Sequence, residues 1–301
     1  MKQIAVVGAG AVGALYGSKL HALLGSEHCS VLVDERRRTR YQAEGIYVNK
    51  KLIPFSYRLP TEVTPPNYII IATKNGHLKE AIEMIRPAVG PQTTLLSLLN
   101  GIESERLLAE AFGAERVLYG FAVGLNATKA GNAITYSASG QIVFGEKDDR
   151  RSERVVALHK LFTAANIASV ISEQILVDLY NKFMLNTAYN TISGLLGATY
   201  GQLDHPAVYS LARAVSQEVQ AVANAEGVVL PDSFIEENHQ IVISLGGGMT
   251  SMAQDMAGGR ETENAWFCGT VIALGAKHGI PTPVAQTLSN LVEAQRPLAA
   301  S

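Results

Sequence analysis

Short apolar runs alternate with amphipathic segments through the first half of the chain. The apolar runs predict buried parallel strands, because they lack the strict alternation of a half-exposed strand. They are QIAVV (3–7), SVLVD (30–34), YIIIAT (68–73) and TTLLSLL (93–99). The amphipathic segments predict helices at 11–24, 77–89 and 103–112. Such alternation is typical of an open α/β sheet covered by helices on both faces.

Further strands are predicted before the pattern changes to long helices after about residue 172. The runs VLYGFAVGL, NAITYSA and QIVFGE predict strands that end the sheet, followed by a helix near 150–165 and a short strand, ASVIS. Long helices are predicted at 173–193, 206–226, 232–245 and 261–278, with a break at GGGMTSM (246–252) and a last helix after GIPTP. We therefore expect a doubly wound, mostly parallel α/β domain over residues 1–170 and an all-α domain over residues 171–301.

Composition narrows the class of protein. The chain has 301 residues, 47% hydrophobic and 17% charged, which is enough for two domains with their own cores. A net charge of −2 gives no electrostatic reason to expect nucleic acid as a partner. Cys29 and Cys268 predict free thiols in a reducing compartment. We expect no metal site, because His205, His239 and His278 lack ligand spacing.

The N-terminal apolar run could pass for a signal peptide, but four glycines interrupt it and no cleavage site is apparent. No apolar stretch approaches the roughly 20 residues that span a bilayer. We therefore expect a cytoplasmic protein with no membrane partner.

The segment GAGAVG follows the first predicted strand and opens the first predicted helix. In that position Gly8 permits a tight turn, Gly10 lets the backbone approach a pyrophosphate, and Gly13 lets the helix pack closely on the strand. The motif predicts a Rossmann-type dinucleotide site in which Ala9, Ala11 and Val12 complete the loop. The alternative is a glycine-rich turn without a ligand.

Asp34 ends the second predicted strand, where a carboxylate normally accepts hydrogen bonds from an adenosine ribose with a free 2′-hydroxyl. That position favours NAD. Arg36, Arg37 and Arg38 follow at once, and their guanidinium groups could bind a 2′-phosphate or simply begin a solvated helix. The residues leave NAD and NADP open.

A polar line runs along the otherwise apolar segment LYNKFMLNTAYNTISGL (179–195). Lys182, Asn186 and Asn190 recur every fourth residue and therefore share one face of a helix. The flanking residues are apolar, which favours a cleft for a small polar molecule over a solvent-exposed face. In such a cleft amides bind oxygens and an amine donates a proton.

Several separated motifs resemble the ketopantoate reductase (2-dehydropantoate 2-reductase) family. They are the GxGxxG start, ATKNG with Lys74, LLNGIES with Asn100 and Gly101, NKFMLNTAYN with the polar line, and TSMAQDMAGGRETE with Ser251 and Glu263. The resemblance covers nearly the whole chain. It implies a Rossmann domain followed by a helical domain, with the active site between them.

The resemblance also implies a function: hydride passes from NADPH to the ketone of 2-dehydropantoate, giving pantoate for coenzyme A synthesis. It makes Lys182 the proton donor and Glu263 the essential acid. Asn100, Asn186, Asn190 and Ser251 become substrate ligands, and Lys74, Asn100 and Glu263 face the cofactor. A homodimer is kept as a candidate assembly.

Two positions depart from the family pattern. Asp34 stands where members more often have a basic residue, so NADH stays a candidate cofactor, and Tyr200 stands where some members use an asparagine near the substrate. Two other readings remain open: a reductase of another branched 2-keto acid, and a non-catalytic dinucleotide sensor. For Glu263 the alternative is a capping or surface carboxylate near a helix N-terminus.

Overall fold

The computed structural model describes residues 2–295, and packing divides them into two compact units. Unit 1 contains the described residues up to Leu99 together with Ser104–Ile175. Unit 2 contains Asn100–Glu103 and the described residues from Leu176 onward.

Unit 1 is an α/β sheet structure. Its strands are β1 (Ile4–Val7), β2 (Cys29–Leu32), β3 (Ile46–Val48), β4 (Lys51–Ile53), β5 (Ser56–Arg58), β6 (Tyr68–Ile71), β7 (Thr94–Ser97), β8 (Val117–Ala130), β9 (Ala133–Gly145) and β10 (Ala168–Ile171). Its helices are α1 (Ala11–Leu24), α2 (Glu35–Glu44), α3 (Leu78–Ile85), α4 (Ser104–Phe112) and α5 (Glu153–Ala164). The predicted strands and helices of this unit are confirmed, except that the runs NAITYSA and QIVFGE form the single strand β9. The strands β3, β4 and β5 were not predicted, because three-residue strands leave no periodic signal.

The strand order is β4-β3-β9-β8-β7-β6-β1-β2-β5, with β10 beside β9. All neighbours from β5 to β8 are parallel, and only the pairs β8–β9 and β3–β4 run antiparallel. The chain moves outward from β1 to β2 and then returns to place β6 on the other side of β1. Ligands of open α/β sheets bind at such a reversal, outside the carboxyl ends of the strands.

Alternate residues of the central strands enter two separate cores. Ile4 and Val6 of β1 pack into the core that α1 and α5 cover, whereas Ala5 and Val7 pack into the core that α3 and α4 cover. Because successive side chains of a strand point to opposite faces, this division requires helices on both sides. The expected doubly wound architecture is confirmed.

Unit 2 is helical. Its helices are α6 (Ile175–Leu185), α7 (Thr191–Leu196), α8 (Pro206–Ala225), α9 (Ser233–Ser244), α10 (Ser251–Ala257), α11 (Cys268–His278) and α12 (Pro283–Ala294). The long helix α8 buries Val208, Ala212, Val215, Val219 and Val222, which recur at helical spacing. Within the described part of this unit, strand pairing is limited to one isolated bridge, Thr199 with Met249.

Two predicted helices differ from the structure. The helix predicted at 173–193 is interrupted by a π turn over Asn186–Asn190, which joins α6 to α7. The helix predicted at 261–278 begins only at Cys268, after a short 3₁₀ turn at Asn264–Trp266. Glu263 therefore precedes the turn instead of lying in the first turn of a long helix.

No helix in residues 2–295 combines the length and the apolar character that crossing a bilayer requires.

A buried carboxylate anchors α5 in unit 1. Glu146 follows β9 and is only 4% exposed. It accepts hydrogen bonds from Ser152 Oγ (2.6 Å) and from Arg154 Nε (2.7 Å) and Nη2 (2.6 Å). Burial alone would raise the pKa of Glu146, but the bonds from Arg154 and Ser152 outweigh it and hold the pKa below its usual value.

We expect Arg154→Ala to lower the free energy of unfolding by about 3 kcal/mol at pH 7, because it leaves Glu146 buried without its counter-ion. A carboxyl with a depressed pKa in the folded state stabilises above its unfolded pKa of about 4.3, and this contribution is lost as the pH falls through the folded pKa. The deficit should therefore shrink below about pH 4. Urea unfolding at several pH values measures it. Arg151→Ala, an exposed neighbour, is the control, and equal stabilities of the two variants would refute the anchor.

Candidate functional site

Two glycines of the GAGAVG loop are required by the protein's own packing. Gly8 has φ of 96°, and a Cβ there would lie 2.6 Å from Ala72 O. A Cβ on Gly13 would lie 1.9 Å from Gly8 O, because α1 crosses directly over the loop. Any side chain at either position would displace backbone.

Gly10 is different. A Cβ added there would meet nothing closer than Ala72 O at 3.8 Å, so the fold itself tolerates a side chain. Gly10 is the N-cap residue of α1 and has no side chain that could cap the helix. The first turn of α1 has no acidic residue. Open space beside a helix N-terminus with unused N–H groups suits a pyrophosphate. The loop therefore fits the dinucleotide that its sequence predicts.

The end of β6 lies next to this loop, at the reversal of strand order. Thr73 Oγ1 is buried and has no hydrogen-bond partner among residues 2–295. Lys74 follows it and is exposed. An unsatisfied hydroxyl at this edge is costly unless a ligand completes it. Thr73 was missed from the sequence, although its place before Lys74 in ATKNG was the available signal.

Asp34 and two of the three arginines, Arg37 and Arg38, already form ion pairs within the protein. Asp34 caps α2 by accepting the Arg37 N–H (2.6 Å), and its other oxygen pairs with the Arg37 guanidinium. Arg37 also contacts Glu80 (3.2 Å). The ribose-binding carboxylate expected at Asp34 is thus turned toward its own helix.

Arg38 pairs with Glu35 (2.7 Å) and Glu62 (2.8 Å). Arg36 is exposed, and no ion pair in the described part of the chain involves it. Of the three arginines, Arg36 is therefore the one whose charge is not already matched.

Unit 2 brings together an amine, a carboxamide and a carboxylate from three distant segments. Lys182 Nζ donates to Asn100 Oδ1 at 3.2 Å, and Asn100 Nδ2 donates to Glu263 Oε2 at 2.9 Å. All three side chains are half-buried, so they are shielded yet reachable. The carboxamide links an ammonium to a carboxylate with the correct polarity at both ends.

The Asn100–Glu263 contact depends on a close approach of two backbones. Gly101 has φ of 91°, and a Cβ there would lie 3.2 Å from Trp266 O. The Asn-Gly pair can therefore lie against the short turn that follows Glu263. Glu263 is the N-cap residue of that turn, but its side chain makes no capping hydrogen bond there and accepts instead from Asn100 Nδ2.

Asn186 and Asn190 lie in the π turn, each 6% exposed. The solvent-exposed alternative for the polar line is therefore wrong. A spacing of four residues drifts forward by about 40° in an α-helix, and the wider π turn counteracts that drift. The π turn thereby keeps the asparagines aligned with Lys182.

The two asparagines differ in their hydrogen bonding. Asn190 Nδ2 donates to Ser251 Oγ at 3.4 Å, and Ser251 is exposed at the start of α10. Asn186 Nδ2 is buried and has no partner within residues 2–295. A buried amide without a partner costs about 1–3 kcal/mol, so it indicates a donor reserved for a ligand.

Tyr200 is held by the glycine-rich break between α9 and α10. Its N–H donates to Gly248 O (2.9 Å), and a Cβ on Gly248 would lie 3.2 Å from the Tyr200 ring. Burial raises the pKa of the Tyr200 hydroxyl, which therefore stays neutral at physiological pH.

Comparisons with known proteins agree along the chain. Residues 4–149 match the family described as "Ketopantoate reductase PanE/ApbA", and residues 174–296 match "Ketopantoate reductase PanE/ApbA C terminal". A relative from Bacillus subtilis (strain 168), named "Uncharacterized oxidoreductase YkpB", is 29% identical over 290 residues, 94% of this chain and 95% of that protein. Other curated relatives, at 24–27% identity, are named 2-dehydropantoate 2-reductase.

Solved structures show the same fold. The 2-dehydropantoate 2-reductase from Geobacter metallireducens GS-15 is 28% identical with a TM-score of 0.86, over 97% of this chain and 99% of that one. A ternary structure of D-mandelate dehydrogenase with NADH and anilino(oxo)acetate has a TM-score of 0.87 over 98% of both chains, but at 23% identity it shows the fold alone. Since the two family matches together span nearly the whole sequence, the chain belongs to the ketopantoate reductase family of oxidoreductases.

Proposed function

We propose that this protein reduces 2-dehydropantoate to pantoate, as the names of its relatives suggest, and that it uses NADPH, as the family resemblance implies. The observation that carries the proposal is the Lys182–Asn100–Glu263 chain of hydrogen bonds beside the buried, unpartnered amide of Asn186. A proton donor next to a reserved amide donor is what a ketone reductase requires.

Lys182 is the general acid. A bound reduced dinucleotide supplies hydride, and negative charge then develops on the ketone oxygen. An ammonium has three N–H donors, so Lys182 can keep its bond to Asn100 while it donates a proton to that oxygen. Asn100 holds the amine in one direction, and Glu263 holds Asn100.

Asn186, Asn190 and Ser251 bind the substrate. Asn186 Nδ2 offers a buried donor, and the pair Asn190–Ser251 offers an amide and a hydroxyl at the exposed start of α10. Together they suit the carboxylate and hydroxyl of a small keto acid. Holding the ketone in place converts a bimolecular encounter into an oriented one.

The cofactor belongs to the GAGAVG loop of unit 1. Gly8, Ala9, Gly10, Ala11, Val12 and Gly13 form the loop that accepts the pyrophosphate. Arg36 binds the 2′-phosphate, because Arg37 and Arg38 are already paired and Asp34 is bonded to Arg37. Lys74, Asn100 and Glu263 are the residues that would hold the nicotinamide half, as the family resemblance implies.

Steady-state oxidation of NADPH and of NADH with 2-dehydropantoate, beside a panel of other branched and aromatic 2-keto acids, tests the proposal. The highest kcat/KM should belong to 2-dehydropantoate. Faster turnover of another 2-keto acid would assign that substrate and make Tyr200 the first residue to examine. Tight dinucleotide binding without turnover of any keto acid would favour the non-catalytic sensor.

Lys182→Ala should lower kcat by about 10²–10⁴-fold, the usual contribution of general acid catalysis. The dissociation constant for NADPH should stay unchanged, because the glycine-rich loop does not involve Lys182. Lys277→Ala is the control, since that side chain pairs with Glu226 on the surface of unit 2. Near-normal kcat of the Lys182 variant at neutral pH would remove the lysine from the mechanism.

Glu263→Gln should reduce kcat/KM by about 10- to 100-fold, the value of a hydrogen bond to a charged group. A carboxylate can only accept, so Glu263 binds the Nδ2 side of Asn100 and leaves Oδ1 for Lys182, whereas a glutamine could face the carboxamide with either group. Circular dichroism and thermal melting should match the parent. Glu261→Gln, an exposed residue of the same segment, is the control, and equal kinetics of the two variants would leave Glu263 without a role.

Arg36→Ala should weaken NADPH binding by about tenfold and leave NADH binding unchanged, because it removes a charge-assisted bond to the 2′-phosphate only. Arg38→Ala removes a charge from the same helix and should not change the preference. Direct titration with both dinucleotides measures this. Tighter binding of NADH by the parent, with no effect of either substitution, would make this an NAD enzyme.

A further inference from the structure

The long hairpin of β8 and β9 bends before it reaches its tip. The pairing shifts register between Asn126 and Ala127. Gly124 and Gly140 lie close to this point in left-handed conformations, with φ of 70° and 58°. A Cβ on Gly140 would lie 2.2 Å from Val123 O, so the bend requires glycine. The outer half of the hairpin is thereby redirected relative to its base.

The outer half is fastened to the rest of unit 1. β9 continues as a parallel neighbour of β3, with Val48 opposite Ile134. Tyr136 N donates to Asn49 Oδ1 (2.9 Å), and Tyr16 OH of α1 donates to Ser139 O (2.9 Å). The hairpin tip therefore has a defined position in unit 1.

Lys129 projects from this outer half onto the glycine-rich loop. It is directly opposite Ile134, which is buried in the same cluster as Ala9. Because opposite residues of an antiparallel pair share a face, the Lys129 side chain points to that side. Its Nζ donates to Ala9 O at 3.1 Å, between the first two glycines of the motif. Lys129 is exposed, so a ligand of the loop can reach it.

A second positive charge, that of Arg40, lies near Lys129. Loss of hydration lowers the pKa of Lys129, and the nearby charge of Arg40 lowers it further. Arg36 and Arg40 are four residues apart on α2, share one helix face and are both exposed. A lysine beside a second cation and an anion-binding loop is stabilised when a phosphate arrives.

We propose that Lys129 is a phosphate ligand of the dinucleotide, supplied by the hairpin and not by the glycine-rich motif. The inference rests on dinucleotide binding by unit 1, as proposed above. An ammonium has three donors, so Lys129 can keep its bond to Ala9 while it binds phosphate oxygens. The pyrophosphate and the 2′-phosphate offer the same chemistry, and the two cofactors separate them.

Titration of the full chain with NADPH and with NADH tests the proposal, using Lys129→Ala, Lys129→Met and Lys129→Arg. The Ala and Met variants should bind about tenfold more weakly, and the Arg variant should retain most of the affinity, because a charge-assisted bond is lost or kept. Weaker binding of NADPH alone assigns the 2′-phosphate. Equal weakening of both cofactors assigns the pyrophosphate. Lys160→Ala, an exposed lysine of α5, is the control and should bind like the parent.

Two results overturn the proposal in different ways. If the parent binds a dinucleotide and a folded Lys129→Ala or Lys129→Met variant binds each cofactor as tightly as the parent does, Lys129 is not a ligand. The glycine-rich site then stands without it. If the parent binds neither dinucleotide, the proposed function fails together with this inference. Thermal melting identifies any variant that has lost its fold, and the Met variant retains the aliphatic stem if Ala does not fold.

Discussion

The proposed catalytic arrangement of unit 2 depends on the carboxamide of Asn100. It accepts from Lys182 and donates to Glu263, at 3.2 and 2.9 Å. A carboxamide can do both, whereas a carboxylate at this position would repel Glu263 and an apolar side chain would leave both charges unlinked. The bridge thereby fixes where the amine points.

This bridge explains several neighbouring features. The segment Asn100–Glu103 belongs to unit 2 although it follows β7 of unit 1 in the sequence. Gly101 lets the segment approach the turn at Asn264–Trp266, and the break between that turn and α11 leaves Glu263 outside the helix. A continuous helix over 261–278 would have placed the carboxylate in a regular first turn, where capping its own N–H groups competes with Asn100.

Glycine serves two purposes in the loop of unit 1. A side chain at Gly8 or Gly13 would collide with backbone atoms of the protein itself, whereas Gly10 has room for a side chain. Gly8 and Gly13 therefore maintain the fold, and Gly10 keeps space for a ligand. In unit 2 the buried Asn186 Nδ2 has no partner among the described residues, and the same holds for Thr187 Oγ1, Thr262 Oγ1 and Asn264 Oδ1. An unpartnered buried donor lowers the stability of the folded protein, and such costs are typical of positions that bind a ligand.

The sequence by itself determined the elements and residues that depend on local patterns. Apolar runs located the central strands, helical periodicity located α1, α8 and α12, and spacing of four residues aligned Lys182, Asn186 and Asn190. The GAGAVG loop was predicted from its place between a strand and a helix. Asn100, Ser251, Lys74 and Glu263 were found only through the family resemblance, because each is a single polar residue without a periodic signal.

Tertiary structure decided everything that joins residues far apart in the chain. Arg36, Arg37 and Arg38 were equal candidates for a 2′-phosphate in the sequence. Arg37 pairs with Glu80 and Arg38 with Glu62, partners that no local pattern connects to them. Lys129 donates to Ala9 O, which is 120 residues away in the sequence. The bond between Asn100 and Glu263 spans 163 residues. Local periodicity reports which face of an element is buried, whereas the partner of a buried charge depends on how separate elements pack.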